Sequence, residues 1–186
     1  MEHFYQTIQG WFTFPQLYTQ VVREFDNAVF VEIGTWKGKS AAYMAVEIVN
    51  YNKNIKFFCI DPWTGETLDD NPDAYICEEK AKNTLYEHFL ENTRSVQNVI
   101  IPIKDYSLNA VHNFKDNSID FAFIDASHDY DSVLADLNAW YPKVKKGGIL
   151  SGHDYHQESV NRAVQKFNEH LNLNITEQEF CYILRK

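Results

Sequence analysis

The sequence predicts an α/β fold: a doubly wound, mostly parallel seven-stranded sheet with helices on both faces and an antiparallel hairpin at the C-terminal end. Three observations predict it. Short apolar runs alternate with stretches whose apolar residues recur at helical spacing, an order that demands crossover connections and parallel strands. Ala28–Val49 reads as strand, glycine turn and helix, the opening unit of a nucleotide-binding sheet. The closing residues LNLNIT, EQE and FCYILRK read as two strands joined by a short connection.

The bulk numbers set bounds. A length of 186 residues, 45% hydrophobic and 23% charged, suits one domain, 1–186, with a substantial core. The formal charge of −9 disfavours nucleic acid and anionic membranes as partners. Cys59, Cys77 and Cys181 are far apart and form no CxxC pair, so neither a disulfide framework nor a zinc cluster is indicated. The start MEHFYQTIQGWFTF has no basic-then-apolar signal pattern, and no apolar run reaches membrane-spanning length. A cytoplasmic location is the expectation.

Residues 1–27 form an N-terminal helical cap segment. Leu17, Val21, Val22 and Phe25 follow helical spacing from Pro15, and the aromatic residues before them are placed to cover a site or to pack on the sheet edge. They could also pair with a second subunit, so a homo-oligomer stays open. Val29–Ile33 is the first strand and carries Glu32 near its end. The turn Gly34-Thr35-Trp36-Lys37-Gly38-Lys39-Ser40 leads into a helix with Ala41, Ala42, Ala45, Val46, Ile48 and Val49 on one side. Gly34 can take backbone angles closed to other residues, and Gly38 lets a ligand or a helix approach the main chain. The helix start beyond them favours negative charge. Trp36 stands where the dinucleotide fingerprint G-x-G-x-x-G needs its second glycine, the one that lets a pyrophosphate approach. The turn therefore speaks for a cofactor without a pyrophosphate, such as S-adenosylmethionine (SAM). Glu32 would then meet its cationic amino group; the alternative is an ordinary α/β turn.

Lys56–Ile60 is the second strand and ends at Asp61-Pro62-Trp63, where such sheets place an acid on ribose hydroxyls. Residues 62–95 read as an inserted acidic loop and helix: between 61 and 79 lie seven acids and no Lys or Arg, and Ala81, Leu85 and Phe89 then share a helical face. Val99–Ile103 is the third strand, followed by Asp105 and Tyr106, placed beside an adenine edge. Ile119–Ile124 is the fourth; after it come Asp125, His128 and a helix through Val133, Leu134, Leu137, Trp140 and Tyr141. Gly147-Gly148 turns into a fifth strand, Ile149–Ser151, followed by His153, Asp154 and His156 and a helix through Val160, Ala163, Val164, Phe167 and Leu171.

On the stretches VEIGTWKGKSA, FFCIDPW, DFAFIDASHDY and GGILSGHDY the chain resembles the class I SAM-dependent methyltransferases, with a Rossmann-like fold. Within them it is most similar to the small-molecule O-methyltransferase branch that includes catechol and sugar O-methyltransferases. The resemblance, running from about Gly10 to the end, implies that Glu32, Gly34 and Ser40 line the methionine part of SAM. Thr35, Trp36, Gly38 and Trp63 complete that cofactor-binding stretch, Asp61 holds the ribose, Asp105 and Tyr106 flank adenine, and Asp125 faces the transferred methyl. Related enzymes bind Mg²⁺ through an acid after the fourth strand and an acidic pair after the fifth. The matching positions here are Asp125 and Asp154, with His153 where another acid is usual: the two carboxylates can still hold Mg²⁺ with several waters, or the imidazole can tilt the site toward Mn²⁺ or a similar metal. The same residues could instead bind substrate or cap helices. His128 matches the general base of the sugar enzymes, a role that suits an imidazole titrating near neutrality. The expected acceptor is a sugar or phenolic hydroxyl. A metal-independent N-methyltransferase and a non-catalytic domain binding SAM or S-adenosylhomocysteine remain alternatives. Trp36 disfavours a nicotinamide dehydrogenase, and the net charge disfavours RNA methylation.

Overall fold

In a computed structural model, residues 1–64 and 84–186 are described. The acids predicted from Glu66 to Glu79, Cys77, and the helix onset at Ala81 lie outside those residues.

Seven strands form one mixed sheet in the order β3-β2-β1-β4-β5-β7-β6. They are β1 (Ala28–Ile33), β2 (Ile55–Asp61), β3 (Ile100–Lys104), β4 (Ile119–Ile124), β5 (Val144–Gly152), β6 (Ile175–Gln178) and β7 (Cys181–Arg185). β1 to β5 run parallel, and β7 returns antiparallel to both β5 and β6, which completes the predicted hairpin. Strand order reverses between β1 and β4. Ligands of open parallel sheets bind in the crevice outside such a reversal.

Six α-helices are present among the described residues: α1 (Pro15–Glu24), α2 (Lys39–Asn50), α3 (Leu85–Asn92), α4 (Ser107–Ala110), α5 (Tyr130–Trp140) and α6 (Glu158–Asn168). The period-2 alternation of strand side chains divides the core in two. Phe30, Phe57, Cys59, Phe121 and Phe123 point to one face, against Leu17, Tyr18 and Val21 of α1, Met44 and Ala45 of α2, and Phe89 of α3. Val31, Ile33, Ile60, Ala122 and Ile124 point to the other, against Ala110, Val133, Leu137, Trp140, Ala163 and Val164 of α4, α5 and α6. Glu32 shares the parity of Phe30, so it is driven into the first core despite its charge. No helix among the described residues is long and apolar enough to cross a membrane.

Strand ends differ from expectation by one residue at β1 and β2, and β3 and β5 differ for reasons the sheet supplies. The predicted strand Val99–Ile103 is shifted by one residue; its Pro102 is tolerated because β3 is an edge strand. The fifth strand starts at Val144, because Ile119 already pairs with Val144. The glycine pair thus lies inside the strand at a register shift, where five residue steps of β5 oppose two of β4, and Gly147 takes φ +83° there.

The ends of the central strands approach more closely than most side chains allow. A Cβ on Gly152 would sit 2.3 Å from the Tyr182 hydroxyl and 2.4 Å from the Ile124 carbonyl oxygen, whereas one on Gly147 would meet nothing within 4 Å. Gly152→Ala is expected to cost about 3 kcal/mol of stability by forcing backbone apart. Gly147→Ala should cost only about 1–2 kcal/mol, from its left-handed backbone alone. Urea denaturation of the two variants measures the difference.

Candidate functional site

The site is built on the carboxyl ends of β1, β2, β4 and β5. The turn after β1 is held by main-chain bonds on both sides: Gly34 N–H donates to Ile60 O at 2.9 Å, and Asp125 N–H donates to Ile33 O at 2.8 Å. Gly34 (φ +89°) has no room for a side chain, since a Cβ there would lie 2.0 Å from the Asp125 carbonyl oxygen. Gly38 (φ +85°) serves the other role open to it: its missing Cβ makes space for Phe89 and Thr93, so it is a helix that approaches the main chain here.

Asp61 ends β2 and secures the same turn. Its Oδ2 accepts the Trp36 N–H at 2.8 Å and its Oδ1 accepts the Trp63 N–H at 2.7 Å. Burial raises the Asp61 pKa, and these main-chain bonds oppose the rise. Trp63 is fully buried, with its ring 4.7 Å from Phe89 and its indole N–H donated to Trp36 O at 2.7 Å. The structure therefore places Trp63 as a wedge under Trp36. Both tryptophans adopt left-handed backbone (φ +43° and +48°), a strain found where a site is held to shape. Beside them, the buried Thr35 hydroxyl has no hydrogen-bond partner among the described residues. Such a hydroxyl keeps a donor and an acceptor that no described protein group uses.

Glu32 is 1% exposed. Its Oε1 accepts from Ser40 Oγ at 2.6 Å and its Oε2 from the Tyr18 hydroxyl at 3.0 Å. Burial pushes its pKa up to about 8 in spite of those two bonds. Asp105 lies at the next strand end, with Oδ1 accepting from Tyr106 N–H at 2.8 Å and from Asn109 Nδ2 at 3.1 Å; the Tyr106 ring is half exposed.

Across the β1–β4 reversal lie two acids and three imidazoles. His128 Nε2 is 2.9 Å from Asp154 Oδ2 and 3.8 Å from Asp125 Oδ1. His153 Nδ1 is 3.1 Å from Asp154 Oδ2 and 4.0 Å from Asp125 Oδ1, and its Nε2 is 2.9 Å from the Thr13 hydroxyl. His156 Nε2 is 3.9 Å from Asp154 Oδ1. Burial pushes the Asp154 carboxyl up, but the hydrogen bonds from His128 and His153 win and hold it well below the usual carboxylate range. For His153 burial acts downward, and the bond to Asp154 with the charges of Asp125 and Asp154 leaves its pKa raised. Asp154 stands in left-handed backbone, φ +57°. Asp125, His128 and Asp154 each offer a ligand atom, all within 4.8 Å of one another. Of the set predicted for a metal, the two carboxylates are together. His128 converges with them, and His153 Nδ1 faces the same two carboxylates while its Nε2 is held by Thr13.

Two participants escape a sequence reading. Tyr18 reads as one more apolar position of α1, and the signal is a hydroxyl on the buried face of that helix. Thr13 precedes any periodic segment. It belongs to a strap, residues 9–14, in which Gly10 O accepts from Lys39 Nζ at 2.8 Å and Trp11 stacks on Trp36 with centroids 5.9 Å apart.

Comparisons with known proteins agree with this architecture. Residues 31–155 match a family described as a methyltransferase domain, and the chain belongs to that family. An uncharacterized protein of Acanthamoeba polyphaga mimivirus is 32% identical over 133 residues, 71% of this chain; the chain spans about half the length of that relative, 53%. Among solved structures, the O-methyltransferase NovP superposes with a TM-score of 0.72 at 16% identity, over 92% of this chain and 78% of that one. CalS11, a TDP-rhamnose 3′-O-methyltransferase of calicheamicin biosynthesis, gives 0.61 at 17% identity, over 92% and 76%. At such identities the likeness establishes the shared fold.

A buried acid with a raised pKa costs stability once it must ionise. The folded state binds the Glu32 proton more tightly than the unfolded chain does, so its ionisation destabilises the fold as pH rises from the unfolded pKa near 4.5 toward 8. Glu32→Gln is expected to be more resistant to urea than the parent at pH 7, with the gain shrinking toward zero near pH 4. Parallel urea titrations at the two pH values check this.

Proposed function

We propose that the chain transfers the methyl group of SAM to a hydroxyl of a small molecule or sugar, assisted by a divalent metal. One observation carries the reading. The cofactor turn and the Asp125–His128–Asp154 cluster meet at the β1–β4 reversal, so close that the Asp125 carbonyl fills the place of a side chain at Gly34.

The residues fit the cofactor. The orphaned Thr35 hydroxyl, the buried Glu32 carboxyl and the main chain of 34–38 form a polar cradle for an amino-acid moiety, and Asp61 retains lone pairs beyond its two main-chain bonds. SAM, when bound, supplies an electrophilic methyl on a sulfonium, for which in-line positioning matters more than covalent help. Trp36, held by Asp61 and Trp63, and Gly34, pressed against Asp125, fix the turn relative to the acid cluster. That rigidity is the protein's contribution to alignment.

The donor set also fits a metal. Two carboxylates and one imidazole suit Mg²⁺ or Mn²⁺ with water in the remaining positions, and the imidazole favours the latter. A bound cation would lower the pKa of an acceptor hydroxyl. His128 cannot ligate and take a proton with the same nitrogen at once. We assign it to the metal, because its Nε2 lies within 4 Å of both carboxylate oxygens. Without metal, that nitrogen serves as a base only in the tautomer that leaves it unprotonated, with its bond to Asp154 given up. His153, fixed between Asp154 and Thr13, orients Asp154 from behind.

The acceptor follows from the site's polarity and from the activities named for NovP and CalS11, an O-methyltransferase and a sugar O-methyltransferase. Calorimetric titration with S-adenosylhomocysteine tests the cofactor, and radiolabelled methyl transfer to catechols and nucleoside diphosphate sugars tests the acceptor. Asp61→Ala is expected to weaken nucleoside binding about 50-fold, as the loss of two charge-assisted main-chain bonds dictates. Absence of any nucleoside binding to the parent protein sinks the reading. Titration with Mn²⁺ should give a binding signal that Asp125→Ala and Asp154→Ala abolish and His128→Ala weakens. An unchanged signal in His128→Ala would return that residue to the base role.

A further inference from the structure

Glu32 is set apart from the other acids of the site by what surrounds it. The carboxylates of the acid cluster have imidazoles beside them, and Asp61 has main-chain N–H groups. Glu32 faces only the hydroxyls of Tyr18 from α1 and Ser40 from α2, with Cys59 of β2 and Phe123 of β4 as its strand neighbours. The nearest charges are those of Asp125 and Asp61, which have its own sign. Among the described residues no lysine, arginine or histidine pairs with it. A carboxylate so buried, with no cation and two like charges near it, does not ionise easily. The hydroxyls do not force ionisation, since either can turn to accept from a protonated carboxyl.

We propose that Glu32 stands as a neutral carboxylic acid in the free protein, and that docking of a primary ammonium group beside it drives its proton to solvent. The inference rests on the cofactor reading above, in which that ammonium is the amino group of SAM. The step balances: the O–H bond of Glu32 breaks, the proton passes to buffer, and the carboxylate left behind pairs with the incoming cation. The direction of its pKa agrees, as burial raises it to about 8, above neutrality. Cofactor recognition is thereby proton-coupled. Tyr18 is a positioning residue: its hydroxyl reaches the carboxylate from the N-terminal helix and tunes how readily the proton leaves.

The consequence is measurable without turnover. Below about pH 8, affinity for a ligand carrying the ammonium falls as protons compete, about tenfold per pH unit. A nucleoside lacking the amino-acid part escapes the coupling. Titration calorimetry at pH 7 in phosphate, HEPES and Tris, buffers of different ionisation enthalpy, counts the protons. S-adenosylhomocysteine is expected to release about one proton and 5′-methylthioadenosine none. Glu32→Gln should release none with either nucleoside and lose the pH dependence between pH 6 and 7.5. Tyr18→Phe should keep the release and move its pH dependence upward, a shift that a purely structural role for the tyrosine would not produce. Binding of S-adenosylhomocysteine without proton release, or an unchanged release in Glu32→Gln, overturns the inference and leaves the cofactor reading intact. Failure of both nucleosides to bind overturns the two together.

Discussion

The constraint that the site is built on lies between main chains. Where the strand order reverses, the turn leaving β1 lies against the end of β4, so that Gly34 occupies space any side chain would contest with the Asp125 carbonyl. Two constraints meet there. Gly34 must take a left-handed backbone to turn the chain, and Asp125 must bond its N–H back to Ile33 to extend the sheet. The glycine turn and the first acid of the cluster are thereby fixed relative to each other by backbone, before any side chain contributes. Methyl transfer needs this kind of fixed distance, since the reacting atoms must meet in line.

Around that contact the acids are handled in three ways, and the differences follow from their surroundings. Asp61 is buried but meets main-chain N–H groups, which stabilise its charge and hold the tryptophan-rich turn. Asp154 is partly buried against two imidazoles, and its ionised form is strongly favoured. Glu32 is fully buried with only hydroxyls to help it, and its neutral form is favoured. Three carboxyl groups of similar intrinsic acidity thus differ in how readily each ionises. Environment alone separates them.

The N-terminal segment belongs to this arrangement. Its strap crosses from the cofactor turn, through Gly10 and Trp11, to the acid cluster, through Thr13, and its helix α1 then sends Tyr18 to Glu32. Each contact joins residues remote in sequence. The strap has no periodicity of its own, and Tyr18 fits the apolar spacing of α1, so neither announces a role at the site in advance.

The fold, the turn after β1, the acids at the strand ends and the terminal hairpin were legible in the chain itself. Each rests on local rules: period-2 and helical spacing, glycine at positive φ, and side chains placed at strand ends by a parallel sheet. The start of β5 was misread because a glycine pair looks like a turn, while inter-strand pairing from Val144 makes it a bulge. Tertiary structure decided the rest. It brought His128 as well as His153 to the two carboxylates, turned Trp63 inward as a wedge, and assigned Gly38 to an approaching helix. Among the described residues it also left Glu32 without a cation. Sequence spacing sets which residues reach the same end of the sheet. The partners of each charge there, and therefore its protonation, depend on elements packed together from distant parts of the chain.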